Sequence, residues 1–525
     1  MKKSSALLFS LTLSAISLAK SPKSSDLEAT GRTTLESIQP NFTSVTPELV
    51  SAVRSDFNHS REDGYSGCVQ FVLFGSKSTN KNDLARYFFP DGLEELSVVE
   101  TGPVNNEIGF NDGEQNLLAQ NFNIFTVDGD FESTIKIAPQ QSNVGLGLYW
   151  RQSFWKNHNR GRGFWLSVSA PISHVKNNMN LTEDVTSDSA ADTEESPNAV
   201  NSMVAAFNQP DWKYGKITQH SMKKTGLADI EFKIGYEWLQ HEPAHMESYI
   251  GIIIPTGNKQ DGEFVFEPIV GRGKYFGVMF GSSLGLEIWN NAAGNKNIRF
   301  ELANHSEYLF SKTQTRSFDL KDKPWSRYIS VYANEEQAQE AADNADINLS
   351  TPGINVFTQK VKVTPGLAHN INSAFVFRCS TFEGEVGYNF YAKRAELVKL
   401  AHAWQEGPAL KHFIGQGNTN PIRNIQGNPY LEQNVSSIPL PNTIPLIPIP
   451  VGDYELSLIK ASDLDLRSAA TPCLLSSTLY GTVGYRAMDR EYPIIASFGG
   501  SYTFSKNNDA VLRRWTIWGK MGLAF

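Results

Sequence analysis

The sequence predicts an all-β fold, a transmembrane antiparallel β-barrel of about fourteen strands, with twelve to sixteen as the bounds. Three observations carry this. Segments of alternating polarity recur along the chain, and many run to roughly ten residues or more, the length that crosses a bilayer at a tilt. Beyond the first twenty residues no apolar run approaches the roughly 18–20 residues of a spanning helix, and "YIGIIIP" comes nearest. The sequence also closes on "WTIWGKMGLAF". There Trp515, Ile517, Met521, Leu523 and Phe525 share a face with Gly519, while Thr516, Trp518, Lys520, Gly522 and Ala524 share the other.

In hydrocarbon every backbone donor and acceptor must pair within the protein, which leaves helices and closed barrels as spanning structures. Without a helix of sufficient length, strands must cross. Closure also accounts for a strand at Phe525, because the last strand of a barrel pairs with the first.

Residues 1–19 have the form of a secretory signal peptide. Lys2 and Lys3 precede "ALLFSLTLSAISLA", and Ser17-Leu18-Ala19 offers a small-x-small cleavage site with no cysteine after it. Residues 20–64 are polar, with one helix start at Thr46-Pro47, and are expected as a periplasmic arm or a plug inside the barrel. The barrel is expected over 65–525. Its strands are placed at 65–76, 119–127, 131–139, 144–155, 164–175, 227–239, 245–255, 274–289, 296–311, 371–380, 382–393, 474–486, 493–505 and 512–525. The stretch "LADIEFKIGYEWL" shows the pattern: Ile230, Phe232, Ile234, Tyr236 and Trp238 face one way, Asp229, Glu231, Lys233, Gly235 and Glu237 the other. Aromatics gather near segment ends, as interfacial girdles do.

If both chain ends lie in the periplasm, connections alternate between long outer loops and short inner turns. The longest, 77–118, 176–226, 256–273, 312–370 and 394–473, all fall on the outer side, and every inner connection is short. "WSRYISVY" at 325–332 is strand-like but is assigned to a loop, which keeps the parity. Within the loops, 182–197 is acidic and expected to be mobile, and 333–346 and "AKRAELVKLAHAW" are expected as helices. Residues 438–450, "IPLPNTIPLIPIP", are proline-rich and extended.

Composition bounds the rest. At 525 residues and a formal net charge of −8, the chain lacks the basic balance of a nucleic-acid partner, and none is expected. Three cysteines make neither a disulfide framework nor a metal pair. "HEPAH" fits the H-E-x-x-H zinc pattern, but that chemistry needs a helix, and Pro243 between flanking strands predicts a turn. "GRGKYFG" lacks the spacing of a dinucleotide fingerprint. His305 lies near Glu301 and Glu307, yet no histidine sits in a recognisable hydrolase constellation. No catalysis, metal or cofactor is expected.

The candidate functional residues are the charged ones opposite the apolar face. They are Arg151, Asp229, Glu231, Lys233, Glu237, Arg299, Glu301, Glu307, Arg378, Glu383, Glu385, Arg486, Arg514 and Lys520. In a water-filled lumen, opposed charges set a transverse field that tunes which solutes pass. In a closed interior they pair with one another instead.

The terminal pattern resembles that of bacterial outer-membrane β-barrels, in which the last strand ends on an aromatic with apolar residues at every second position before it. That resemblance implies that Trp515, Ile517, Met521, Leu523 and Phe525 form the signal read by the barrel-assembly machinery, with Gly519 a departure. The stretch from "GLADIEFKIGYEW" through "IGIIIPTGNKQDGEFVFEPIVGRGKYFG" is similar to the fatty-acid and aromatic-compound transporter barrels, which are fourteen-stranded with an N-terminal plug. The expected role is a porin-like channel in the bacterial outer membrane, in contact with lipid, for passive diffusion of small solutes. A plugged transporter of hydrophobic compounds and a structural or surface-interaction barrel without transport stay open as alternatives.

Overall fold

The computed structural model describes residues 31–34, 66–100, 116–157, 161–187, 190–193, 198–241, 243–321, 323–334, 336–337, 340, 351–405, 409–410, 458–505 and 509–525. The expected signal peptide, nearly all of the 20–64 arm, most of the 333–346 helix and the proline-rich 438–450 stretch lie outside them.

The main sheet has fourteen strands. They are β1 (Gly67–Ser78), β2 (Gln140–Asn157), β3 (Arg162–Ser169), β4 (Ile172–Asn178), β5 (Met222–Leu227), β6 (Ile230–His241) and β7 (Ala244–Ile254). They continue as β8 (Gly277–Asn290), β9 (Lys296–Leu309), β10 (Gly366–Cys379), β11 (Phe382–Lys393), β12 (Leu474–Ala487), β13 (Ile494–Phe504) and β14 (Arg514–Ala524). β1 pairs with β14 on one side and β2 on the other, so the sheet closes.

Twelve positions make the ring, with two further strands beyond it. The reason is local. β3 and β4 lie end to end, as do β5 and β6; β3 pairs with β6 and β4 with β5. Each couple is one wall position interrupted by a break, at Ala170-Pro171 in the first and Ala228-Asp229 in the second. Proline cannot donate to a ladder. The wall resumes around it, with Ala228 N donating to Pro171 O at 2.8 Å.

Every neighbouring pair in the ring is antiparallel. β1 begins and β14 ends at the same mouth, called near here, where Gly67 N donates to Phe525 O at 2.8 Å and Phe525 N to Gly67 O at 2.9 Å. Near-mouth connections are short, at 158–161, 242–243, 291–295, 380–381 and 488–493. Far-mouth connections are 79–139, 179–221, 255–276, 310–365, 394–473 and 505–513. The expected alternation of long and short connections holds for these, but 128–130, expected as an inner turn, lies within the far connection 79–139, and 140–143, expected as an outer one, belongs to β2. "HEPAH" is the turn between β6 and β7.

The period-two pattern sorts the wall into two faces. Outward positions carry exposed apolar and aromatic side chains, among them Phe71, Ile250, Phe375, Val386, Val483, Phe498 and Met521. Inward positions are buried or half-buried, and many are polar. Inward aromatics are laid flat by glycines on the next strand. Trp165 opposes Gly235, Tyr249 opposes Gly281, Tyr480 opposes Gly387 and Trp518 opposes Gly499. A Cβ at those glycines would meet the ring at 2.0, 2.5, 2.1 and 2.6 Å respectively, so only hydrogen fits beneath it.

Several expectations need correction. Segments 119–127 and 131–139 are not wall strands. The first holds a short 3-10 turn, Ala119–Phe122, and the second a strand, Glu132–Lys136, in a separate four-stranded sheet. Their apolar faces point into a loop core, with Phe122, Ile124, Phe131 and Ile135 buried there. The alternation was real, but it served packing rather than lipid. Thr182–Ser187, within the acidic stretch, is a strand paired with Glu132–Lys136. "AKRAELVKLAHAW" forms no helix: Leu397–Leu400 is a strand on Thr358–Thr364, with Val398 buried between exposed neighbours. Strand pairing overrides helix propensity there. "WSRYISVY" does stay out of the wall, as a 3-10 turn (Ser326–Tyr328) and a short strand (Ser330–Tyr332).

Candidate functional site: the charged interior and its cap

All fourteen charged candidates lie on or beside the inner face, buried or half-buried. Asp229 sits at the strand break. Most fall into four groups. In the first, Arg151 on β2 reaches Glu237 on β6 at 2.9 Å and Glu247 on β7 at 2.8 Å. Its guanidinium lies 4.0 Å over the Trp165 ring, and the Ser283 hydroxyl donates to Glu247 at 3.1 Å. Two carboxylates around one cation are tolerable inside a wall because ring and hydroxyl complete the shell.

The second group forms around Arg272, from the 255–276 connection. Its side chain reaches Glu231 at 2.7 Å and Glu307 at 3.0 Å, and its backbone N donates to Asp229 at 2.6 Å. Lys233 lies 3.0 Å from Glu231, and the Tyr249 hydroxyl bonds the Nδ1 of His305 at 2.8 Å. Gly271 and Gly273 flank Arg272 with φ of +81° and +65°, and a Cβ on Gly271 would sit 2.8 Å from an Asp229 oxygen. Only glycine lets this loop enter the barrel so closely.

In the third group Arg299 donates to Glu301 at 3.2 Å and to the Nδ1 of His245 at 3.1 Å. Arginine can only donate, so Nδ1 accepts and the ring proton sits on Nε2, facing Glu301 at 3.3 Å. In the fourth, at the near mouth, Glu383 accepts from Arg378 at 2.9 Å and Arg486 at 3.3 Å. Glu385 accepts from the Tyr480 hydroxyl at 3.0 Å, and Arg514 and Lys520 are buried on β14.

Sequence reasoning missed Glu247, His245, Tyr249, Trp165 and Arg272. The first four were available, because each falls on the inward phase of its strand. Arg272 lies in a connection, where period two says nothing. Its one signal was the Gly-Arg-Gly triplet.

The far mouth is covered. Five connections contribute to one apolar cluster, including Leu96 and Ile135, Met203 and Trp212, Phe266, Trp325 and Tyr328, and Val511. The sixth, 394–473, joins 310–365 in a second cluster through Ile459, Leu464, Phe318 and Val363. Trp212 stacks on Tyr328 with ring centroids 5.4 Å apart. Two buried ion pairs tie this cap: Arg316 with Glu396, and Arg327 with Asp319. Burial pushes the Asp319 carboxyl up to about 6, despite the opposing Arg327 charge. At Glu396 burial acts upward too, but Arg316 and Lys393 outweigh it and hold the group below its ordinary value.

Residues Gly31–Thr34, from the expected arm or plug, are built into this cap. Arg327 donates to Gly31 O at 2.7 Å, Thr33 Oγ1 donates to Ser317 O at 2.8 Å, and the Arg32 guanidinium donates to the carbonyls of Arg467 and Ala470. Burial lowers the Arg32 pKa.

No protein-family model and no curated protein matches the chain. Among solved structures it is similar to an outer membrane channel from Pseudomonas putida F1, at 7% identity and a TM-score of 0.35, covering 87% of this chain and 96% of that one. It is similar to a Pseudomonas aeruginosa FadL homologue at 9% identity and a TM-score of 0.28, covering 95% and 97%. The transport unit of the autotransporter AIDA-I from Escherichia coli matches at 8% identity and a TM-score of 0.30, covering 90% and 93%. At likenesses this low the barrel rests on its own strand pairing. Among the described residues no helix is long and apolar enough to cross a membrane.

Proposed function

We propose that the chain is a bacterial outer-membrane channel for passive passage of small solutes, held shut at its far mouth by the cap. The observation that carries this is the division of the closed wall: apolar side chains exposed outside, paired charges inside. A wall with exposed Phe71, Ile250 and Phe375 suits hydrocarbon and is costly in water. An interior built from ion pairs suits polar solutes better than apolar ones. Twelve strands enclose more space than one layer of side chains needs, so filling by charges and loops is a gate rather than a necessity.

The exported, outer-membrane location belongs to this reading, as do lipid and the assembly machinery as partners. So does the absence of catalysis. The plugged-transporter alternative draws support from Gly31–Thr34, because the N-terminal part of the chain contributes to the closure. Vesicle swelling tests the proposal: full-length protein reconstituted in liposomes is placed in neutral and charged solutes of matched size. Slow but solute-dependent swelling supports a gated polar channel. Swelling confined to apolar compounds would transfer the reading to the transporter.

A further inference from the structure

One row of the outer wall changes character as it runs around the barrel. Register aligns Tyr502 on β13 with Trp515 on β14, Trp515 with Lys77 on β1, Lys77 with Ser142 on β2, Ser142 with Lys176 on β4, and Lys176 with Lys223 on β5. Paired residues share a face, and all six stand on the outward phase of their strands near the far mouth. Tyr502 is 46% and Trp515 42% exposed, and the three lysines are exposed too. Outward Tyr and Trp mark the level of lipid headgroups. The lysines carry that level on across β1, β4 and β5. Beneath them the wall turns apolar within two outward positions, at exposed Leu73, Val144, Ile172 and Leu227.

The charge of this row is unbalanced. Lys176 and Lys223 are directly opposite, and like charges so placed are destabilising unless an anion bridges them. Among the described residues none of the three lysines has a carboxylate within ion-pair distance. Exposed cations of the cap do find one: Arg86 reaches Glu94 at 2.7 Å, Lys136 reaches Glu95 at 2.6 Å, and Arg513 reaches Asp83 at 2.8 Å. At the near mouth the 488–493 turn carries both signs, in Asp489, Arg490 and Glu491.

We propose that this row binds the phosphate group of an anionic lipid in the leaflet at the far mouth. Ammonium groups donate charge-assisted hydrogen bonds to phosphate oxygens, and the Ser142 hydroxyl supplies a further donor between them. Adjacent strands lie roughly 4.8 Å apart, so Lys77 and Lys176 flank Ser142 at about 10 Å, within reach of one headgroup. Position selects a lipid over free phosphate or an acidic protein. The polar end of the ligand meets the lysines at the height of Trp515, and its acyl chains run down the apolar wall directly beneath. The inference rests on the outer-membrane reading, which is read separately by retention of the protein in membranes after alkaline extraction.

The test titrates the full chain in detergent micelles with phosphatidic acid and, separately, with phosphatidylcholine, and counts bound lipid by native mass spectrometry. Phosphatidic acid should bind about tenfold more tightly or better. Lys77→Gln, Lys176→Gln and Lys223→Gln together should remove that preference. A charge-matched variant on the cap, Lys213→Gln with Lys321→Gln and Lys460→Gln, should keep it, and both variants should keep the heat-dependent gel shift of a folded barrel. Inorganic phosphate at the concentration of the lipid should not displace it. Equal affinity for the two lipids, as expected of a row that meets an acidic protein instead, would overturn the proposal. So would an unchanged preference in the folded row variant, an equal loss in both variants, or displacement by inorganic phosphate.

Discussion

Single residues hold this interior by charge balance. Arg151 has Glu237 and Glu247 within 3 Å. Replacing it with alanine leaves two carboxylates buried without their cation, which should cost roughly 3–5 kcal/mol. Urea unfolding of the variant in vesicles checks this; a shift under about 1 kcal/mol would mean that water reaches the site. The cap has its own pH signature. The Asp319 carboxyl is raised from 3.8 to about 6 in the folded protein, so the native state holds this proton more tightly than the unfolded chain. Its contribution is fully present below pH 3.8 and is lost as pH rises through about 6. Glu396 is lowered from 4.5, so its contribution is present above that pH and is lost on acidification below it. Between about pH 4 and 6, cap melting followed by fluorescence should therefore fall with rising pH in the native chain and flatten in Asp319→Asn.

At the scale of strands, the sequence revealed every wall position and misjudged what lies between them. Period two located all twelve because each has one face in an apolar environment and one in a packed polar interior. The same period appears in Glu132–Lys136, where both faces are enclosed by protein, and pattern alone cannot separate the two cases. The strand break at Ala170-Pro171 stayed hidden inside the single segment 164–175, and β5, Met222–Leu227, fell almost wholly in the expected loop 176–226, so the break at Ala228-Asp229 was missed too. The inward charges were legible for the same reason as the strands. Arg272 was not, because its position depends on how a loop folds back. Glycine roles also separate here. Gly387 lies under Tyr480, so Gly387→Val must displace that ring and should destabilise by about 1–3 kcal/mol. Gly519, the departure in the terminal pattern, has nothing within 4 Å of its Cβ position. Gly519→Ala should be neutral or stabilising by up to about 1 kcal/mol. Unfolding midpoints measured side by side distinguish these outcomes.

For the whole molecule, two assemblies divide the work. The wall supplies a closed surface that suits lipid, and the cap gathers all six far connections with Gly31–Thr34 over one mouth. Beyond a plug as one reading of residues 20–64, this cap was not foreseen, because its contacts join residues separated by most of the chain; Arg327 and Gly31 are 296 positions apart. Arg327 bonds Asp319 and Gly31, and Tyr328 packs against Trp212 and Trp325. Together they are the points at which the cap is most easily loosened without touching the wall. Single-channel recording in planar bilayers tests the central claim most directly, with the full chain run beside an Arg327→Ala, Tyr328→Ala variant. The account predicts a quiet or briefly flickering full chain and sustained stepwise conductance from the variant. Steady conductance of equal size from both would contradict closure by the cap, and silence from both, with folding confirmed by the heat-dependent gel shift, would contradict the channel itself.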